Sequence, residues 1–227
     1  MTRSFALAAL AALTLTACDS TEADEVIDLN AQTATDIEAD LTAGRDPNTG
    51  APISNNQFTL YDLDAGEVVL LSSETDVTVR QQDSLSTAWD IGFRGTEIIF
   101  NGGTSGTGQG SAQLVALPFD EVTEAPASGY VLDGQNTDCG RGANALCPVS
   151  DASWYNYDPT QNLVSAIPGR TIVLTTGEGD YAKVRVLSYY QGNPTTPNPA
   201  LPSRYYSFDY VVQPDGSRDF ETTVVVD

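Results

Sequence analysis

The chain has 227 residues, a formal net charge of −21 at pH 7, a sequence pI of about 4.1 and no histidine. This acidic balance disfavours nucleic acids and anionic lipid surfaces as partners, because both require a basic surface. The absence of histidine excludes Ser-His-Asp and Cys-His catalytic sites and His-ligated zinc, and it removes the commonest general base.

Residues 1–17 have the features of a secretory signal. Arg3 precedes the apolar run FALAALAALTLTA, and the small residue Ala17 comes directly before Cys18. The sequence LTAC, which ends at Cys18, resembles the bacterial lipobox, in which the cysteine is lipidated and becomes the first mature residue. We therefore predict a signal peptide over residues 1–17 and a membrane anchor at Cys18, with the folded part in the periplasm or outside the cell. An ordinary secretory signal with a chance cysteine is the alternative.

Residues 18–50 are rich in Asp and Glu, contain the single base Arg45 and have no aromatic residue. Such a segment buries too little apolar surface to offset the entropy of ordering it. We expect a disordered, acidic tether here. A weak helical pattern at Ile27, Ala34, Ile37 and Leu41 predicts at most a short helix.

Strand-type segments dominate the rest of the chain. FTLYDL and EVVLLS flank a turn at residues 64–66, and TIVLTT and YAKVRVLSYY flank a turn at 177–180. RYYSFDYVVQ and FETTVVV flank a turn at 214–217, which predicts a third hairpin. In that segment Tyr206, Phe208, Tyr210 and Val212 share one face, which indicates a strand with one buried side. The sequence therefore predicts one all-β, antiparallel domain over residues 51–227.

In the stretch from Trp89 to Phe119, five glycines lie between two apolar runs, at positions 102, 103, 106, 108 and 110. A phosphate-binding loop directs backbone N–H groups at the anion where a strand enters a helix, with a lysine nearby. This stretch has no lysine, and the residues after Gly110 alternate as in a short strand that stops at Pro118. A close connection between strands is the better interpretation.

The remaining polar features have structural explanations. Cys139 and Cys147 lie eight residues apart in a loop segment of an exported chain, and we expect them to form a disulfide. Asp133 to Asp138 could hold calcium through oxygen ligands, but the segment lacks EF-hand spacing, so a polar loop is favoured. Paired carboxylates of a hydrolase remain formally possible, but the acids cluster in turns and in the tether. No metal site or catalytic residue is predicted.

The tyrosines are more suggestive. WYNYDP follows the cysteine loop, and paired tyrosines occur at 189–190 and 205–206. Tyrosine combines an apolar ring with a polar hydroxyl and lines pockets for flat ligands. Half-buried strand residues are the alternative interpretation for each of them.

Several motifs together resemble one family. They are WDIGF at 89–93, NGG at 101–103, the SGxGxG run at 105–110 followed by Ala112, YAKV at 181–184, SYY at 188–190 and YSFDY at 206–210. In this order they closely resemble HmuY-type lipoproteins, which are haem-binding proteins of Gram-negative outer membranes. The resemblance runs from about Phe58 to Val226. It implies an HmuY-like β domain, an outer-membrane lipoprotein and a structural role for the glycines.

The chain departs from this family in its iron ligands. The best-known members hold haem iron between two histidines, whose positions would fall within residues 131–151 and near 157–159 here, and this chain has none. Some relatives are thought to use methionine, but the sole methionine is Met1, which is lost with the signal. Any bound haem would need a tyrosine phenolate or no axial protein ligand.

We therefore predict a non-enzymatic lipoprotein that captures haem or another flat ligand without histidine ligation. The candidate pocket residues are Tyr130, Tyr155 and Tyr157. The alternative is a scaffold or partner-binding surface lipoprotein without a haem function. A TonB-dependent outer-membrane receptor is the partner that the resemblance implies.

Overall fold

The computed structural model describes residues 25–41, 44–45, 47–48, 52–139 and 143–225. The predicted signal peptide and lipidation site Cys18 lie outside these residues. The strands are β1 (Glu25–Asp28), β2 (Gln32–Glu38), β3 (Gly44–Arg45), β4 (Pro52–Ile53), β5 (Thr59–Asp62), β6 (Glu67–Leu70), β7 (Ile91–Arg94), β8 (Glu97–Phe100), β9 (Ser111–Val115), β10 (Tyr155–Asp158), β11 (Leu163–Ala166), β12 (Thr171–Thr175), β13 (Tyr181–Tyr190), β14 (Ser203–Gln213) and β15 (Thr222–Val225). Helix α1 spans Val77–Ser84. No helix within the described ranges is long and apolar enough to cross a membrane.

Two antiparallel sheets form the body of the domain. The larger sheet has the order β2-β14-β13-β12-β9, and the smaller has the order β6-β5-β7-β8. Aromatic side chains join them: the ring of Phe93 on β7 lies 4.5 Å from that of Tyr206 on β14, and Tyr61 on β5 lies 5.3 Å from Phe208. Buried side chains of both sheets form one continuous core. The all-β prediction is confirmed.

The first two predicted hairpins are confirmed, and the third is wrong. Strand β5 pairs with β6, and β12 pairs with β13. Strand β14 does not pair with the following strand β15; its neighbours are β13 and β2. Strand β15 pairs instead with β1, in register Val26 to Val224. A local turn signal therefore joins two strands that belong to different sheets.

The N-terminal acidic segment differs from the expected tether wherever the structure describes it. Residues 32–38 form β2, an edge strand of the larger sheet, and residues 25–28 form β1. Ala34 and Ala39 are buried in the main core, and Thr33 Oγ1 donates to Asp209 Oδ1 at 2.7 Å. The short helix predicted from the weak helical pattern in this segment is wrong as well, because residues 32–38 form a strand. The folded part therefore begins before residue 51.

Helix α1 is the second difference from the sequence prediction, which contains no helix in this region. The Asp76 side chain caps it by accepting hydrogen bonds from the backbone N–H groups of Thr78 and Val79 at 2.8 and 3.3 Å. No α1 side chain is buried, and Val77 is 76% exposed. The helix therefore lies on the surface, beside β6.

The glycine-rich stretch is a close-packed connection, as predicted. A Cβ atom at Gly102 would overlap the carbonyl oxygen of Gly110, because the two backbones pass directly against each other. The buried amide of Asn101 closes the loop: its Nδ2 donates to Trp89 O at 2.7 Å, and its Oδ1 accepts from Gly108 N at 3.0 Å. The loop is filled by its own atoms, and β9 follows it as expected.

Candidate functional site

Tyr155 belongs to an aromatic cluster inside the main core. The Trp154 ring centre lies 5.0 Å from that of Tyr155, 5.2 Å from Tyr206 and 6.0 Å from Tyr189. All four residues are buried. Burial raises the pKa of Tyr206 and of Tyr189, so both phenols stay protonated at neutral pH. These rings pack against one another.

The Tyr155 hydroxyl is also engaged. It accepts a hydrogen bond from Thr96 Oγ1 at 3.3 Å and donates to Pro148 O at 3.4 Å. The neighbouring Trp154 Nε1 donates to Thr96 O at 3.1 Å. These bonds join the β10–β11 hairpin to the β7–β8 turn. Tyr155 therefore has a packing function in this structure.

The structure does not bring the three predicted tyrosines together. Tyr157 lies two residues after Tyr155 on β10 but outside the aromatic cluster, with 41% of its surface exposed and its hydroxyl donating to Asn162 Oδ1 at 3.1 Å. Tyr130 packs in a separate cluster, where its ring lies 5.9 Å from that of Tyr181. Burial raises the pKa of Tyr130 to about 12. Of the three hydroxyls, that of Tyr157 is accessible to a ligand from solvent.

The loop between β9 and β10 is held by a disulfide and a buried carboxylate. Cys139 and Cys147 are bonded, which confirms the predicted pair. Asp133 is buried, and its two oxygens accept from the N–H groups of Phe100 at 2.9 Å and Ala145 at 2.7 Å. Burial raises the pKa of Asp133. Both of its oxygens are bonded to the backbone, so Asp133 links this loop to β8.

A second acidic group lies at the β5–β6 turn. One oxygen from each of Asp62, Asp64 and Asp90 falls within 4.8 Å of the others, a spacing compatible with a metal ion. Asp90, however, accepts from Leu63 N through Oδ2 and from Gly177 N through Oδ1, each at 2.8 Å. Burial raises the pKa of Asp90 to about 7. The two N–H bonds explain its position as a link between the sheets.

A ligand-sized cleft lies between α1 and the outer face of the smaller sheet, and we call it the α1 cleft. Its volume is about 470 Å³. Its lining residues are Gln57, Phe58, Leu60, Leu70, Val77, Arg80, Gln81, Ser84, Trp89, Ile99 and Ser105. Small-molecule sites are concave, mostly apolar and carry a few placed polar groups, and this cleft has that composition.

The floor of the α1 cleft is a small apolar cluster separate from the main core. Leu60, Leu70, Trp89 and Ile99 are buried there, and Phe58 packs against them. The Trp89 indole Nε1 donates to Ser84 O at 3.3 Å, which ties the floor to the end of α1. The sequence analysis did not identify this site. Its residues come from distant positions, and the one local signal was the helix cap at Asp76.

Arg80 supplies the positive charge at the rim of the α1 cleft. Its Nη1 donates to Leu71 O at 3.0 Å and to Glu74 O at 3.4 Å. Its Nη2 donates to Gln57 Oε1 at 2.9 Å. All three acceptors are neutral oxygens. Arg80 therefore connects α1 to the segments before β5 and after β6 without having its charge neutralised by them.

The sequence of the domain matches a known protein family. A sequence model described as HmuY protein matches residues 54–210. The chain belongs to the HmuY family. The match includes the WDIGF and NGG motifs and the entire lining of the α1 cleft. The resemblance inferred from the sequence is thereby confirmed. No curated protein matches the chain.

Solved structures of HmuY-like proteins are similar to the chain at low sequence identity. The apo HmuY analog of Tannerella forsythia is 16% identical, with 85% of this chain and 99% of that chain covered and a TM-score of 0.43. An HmuY-like haem-binding protein of Bacteroides vulgatus is also 16% identical, with coverage of 80% and 91% and a TM-score of 0.46. Apo PinO of Porphyromonas gingivitis is 14% identical, with coverage of 82% and 98% and a TM-score of 0.43.

Proposed function

We propose that this protein is an exported, lipid-anchored and non-enzymatic member of the HmuY family that captures haem or another flat apolar ligand in the α1 cleft. Family membership supports a haem-binding-like role. The observation that carries the proposal is the cleft itself, with its volume of about 470 Å³ and its apolar floor. Pockets of roughly 300–1,000 Å³ with this composition bind small ligands.

The residues of the α1 cleft determine how iron would be held. The lining includes Ser and Gln oxygens but no His, Cys, Met, Tyr or carboxylate. The chain as a whole contains no histidine, and Cys139 and Cys147 are bonded to each other. Haem in this cleft would therefore be held through its ring and periphery, with its iron lacking a strong protein ligand. Such iron is expected to be high-spin in the ferric state.

The proposal is tested by titrating ferric haem and metal-free protoporphyrin IX into the chain from residue 19 onward, which contains every described residue. We expect the two compounds to bind with comparable affinity and the haem to give a high-spin spectrum, since the cleft contacts the ring. Tight binding of haem alone, with a low-spin spectrum, would contradict the proposal.

Tyr157 provides the control for this experiment. It is the accessible hydroxyl among the three predicted tyrosines, and it lies outside the α1 cleft lining. We expect Tyr157→Phe to leave the affinity and spectrum of haem unchanged. Loss of haem binding in this variant, with protoporphyrin binding retained, would assign the iron to a phenolate at Tyr157 and not to the cleft.

A partner-binding lipoprotein without a haem function is the second candidate. Two observations favour it: the predicted tyrosine Tyr155 packs inside the core, and the β1–β15 ribbon exposes Val26 (63%) and Ile27 (43%). A TonB-dependent outer-membrane receptor is the partner proposed for such a surface. If neither porphyrin binds and the protein co-purifies from outer membranes with a receptor of that class, this second function replaces the first.

A further inference from the structure

The cationic rim of the α1 cleft carries an inference about the ligand, which rests on the proposed function of the cleft. We propose that the α1 cleft selects amphipathic carboxylates: molecules with an apolar body that fits the floor and an acidic group that pairs with Arg80.

Arg80, like Arg170, differs from four other arginines of the domain that form ion pairs. Arg94, Arg185, Arg204 and Arg218 each lie within 4.0 Å of an Asp or Glu oxygen. No such pair is found for Arg80 among the described residues, although the sequence contains 31 acidic residues and only 10 basic ones. Its charge is therefore available to a ligand.

Two acidic residues that precede Arg80 in sequence accept hydrogen bonds from backbone N–H groups. Glu74 Oε1 accepts from the N–H groups of Thr75 and Asp76, both at 2.7 Å. The Asp76 carboxylate caps α1 through Thr78 N at 2.8 Å. Both carboxylates therefore accept hydrogen bonds at the start of the helix, and neither forms an ion pair with Arg80 among the described residues.

Arg80 also retains hydrogen-bonding capacity. A guanidinium has five N–H donors. The bonds to Leu71 O, Glu74 O and Gln57 Oε1 use Nη1 and Nη2, and no partner of Nε is found among the described residues. A carboxylate could thus accept from the free donors while the helix remains attached. Such charge-assisted bonds are the strong ones, because the guanidinium matches the carboxylate in shape and sign.

The rest of the cleft explains why the body of the ligand must be apolar. Its floor presents Phe58 and Trp89 rings and the side chains of Leu60, Leu70 and Ile99. A small, fully polar anion would gain little from this surface and would be repelled by the net charge of −21. An apolar body with one acidic end satisfies both parts of the cleft. Porphyrin dicarboxylates and long-chain fatty acids share this chemistry.

The test compares acids with their neutral counterparts in the chain from residue 19. Protoporphyrin IX is compared with its dimethyl ester, and a long-chain fatty acid with the alcohol of equal length. We expect at least one acid to bind about tenfold more tightly than its neutral partner, as a charge-assisted hydrogen bond permits. The pair of compounds that shows the preference identifies whether a porphyrin or a fatty acid supplies the carboxylate.

Two variants of Arg80 and one control assign the preference. Arg80→Gln should lower the ratio of acid affinity to neutral-partner affinity to about one, and Arg80→Lys should restore part of that ratio. Arg218→Gln is the matched control, because Arg218 also donates to a backbone carbonyl but already pairs with Glu124 at 2.7 Å, outside the cleft. It should keep the full preference.

The outcomes separate the two proposals. Equal binding of acid and neutral partner, or a preference that survives Arg80→Gln, would overturn the role of Arg80 and leave ligand capture by the cleft intact. Fatty-acid binding that depends on Arg80, without porphyrin binding, would support the role of Arg80 and overturn porphyrin capture. Failure of every probe to bind the wild-type chain would overturn both.

Discussion

Deleting residues 19–50 is the sharpest test of where the folded domain begins. The deletion removes β2, whose register with β14 includes Ala34 opposite Phe208 and Ile37 opposite Tyr206. It also removes the hydrogen bond from Thr33 to Asp209. A variant that starts at residue 51 would therefore lack an edge strand of the larger sheet. The deletion removes part of the folded domain.

The expected loss is a large fraction of the stability. Five residue pairs of the ladder disappear, together with side-chain bonds such as that from Arg204 to the Asp40 carbonyl. At about 1 kcal/mol net for each hydrogen bond, the loss is roughly 5 kcal/mol. Exposing to water the core surface that Ala34, Ala39 and Ile37 cover adds about 2 kcal/mol to this loss of stability. The total free energy of unfolding of a natural domain is only about 5–15 kcal/mol.

Urea unfolding followed by tryptophan fluorescence measures this loss. The chain from residue 19 is the reference, and the chain from residue 51 should unfold at a much lower urea concentration or lack a cooperative transition. A chain from residue 25 should match the reference, because it keeps β1 and β2. Equal midpoints for the chains from residues 19 and 51 would refute the assignment of β2 to the folded sheet.

Three further predictions concern single residues. Burial raises the pKa of Asp90 from 3.8 to about 7. The contribution of Asp90 to stability is therefore present below its unfolded pKa and is lost as the pH rises through about 7. Asp90→Asn should flatten the fall in melting temperature between pH 5 and pH 8 relative to wild type, and an unchanged slope would show that Asp90 does not cause this fall. Gly102→Ala should destabilise the chain by about 3 kcal/mol in urea titrations, because the new methyl group overlaps the Gly110 carbonyl, whereas a neutral effect would show that the loop has room. Cys18→Ser should leave the protein unprocessed or soluble; recovery of the variant in the detergent phase, with its mass unchanged after signal cleavage, would exclude lipidation.

The parts of the fold that were predicted correctly depend on local pattern. Alternation in the β5–β6 and β12–β13 segments, with glycine in each turn, was sufficient to predict both hairpins. The third hairpin failed because β15 finds its partner in β1, almost 200 residues away in sequence. A turn signal reports the direction of the chain and not the partner of the next strand.

The errors at the N-terminus and at α1 have a related physical origin. The composition of residues 32–38 is too polar to fold alone, but β14 offers an open edge and the core accepts Ala34, so the sheet supplies the missing burial. Helix α1 contains the β-branched residues Val77, Thr78 and Val79, which favour strands. The N-cap hydrogen bonds that Asp76 accepts from Thr78 N and Val79 N stabilise the helix there.

The candidate site was only partly visible in the sequence. Family motifs identified the fold, and the absence of histidine excluded the usual iron ligation. The tyrosines were weaker guides, because Tyr155 fills the core and Tyr157 points to solvent. The α1 cleft could not be seen, because it joins Phe58, Arg80 and Trp89 through tertiary packing.

The central claim is that the ligand enters the α1 cleft, and a pair of tryptophan substitutions on α1 tests it most directly. Ser84 is half-buried and lines the cleft, whereas Gln82 on the same helix is exposed and does not line it. Titration of each variant with haem and protoporphyrin IX should show binding lost or greatly weakened in Ser84→Trp, because the indole occupies the cleft, and unchanged in Gln82→Trp. Wild-type affinity in Ser84→Trp would contradict the assignment of the ligand to this cleft.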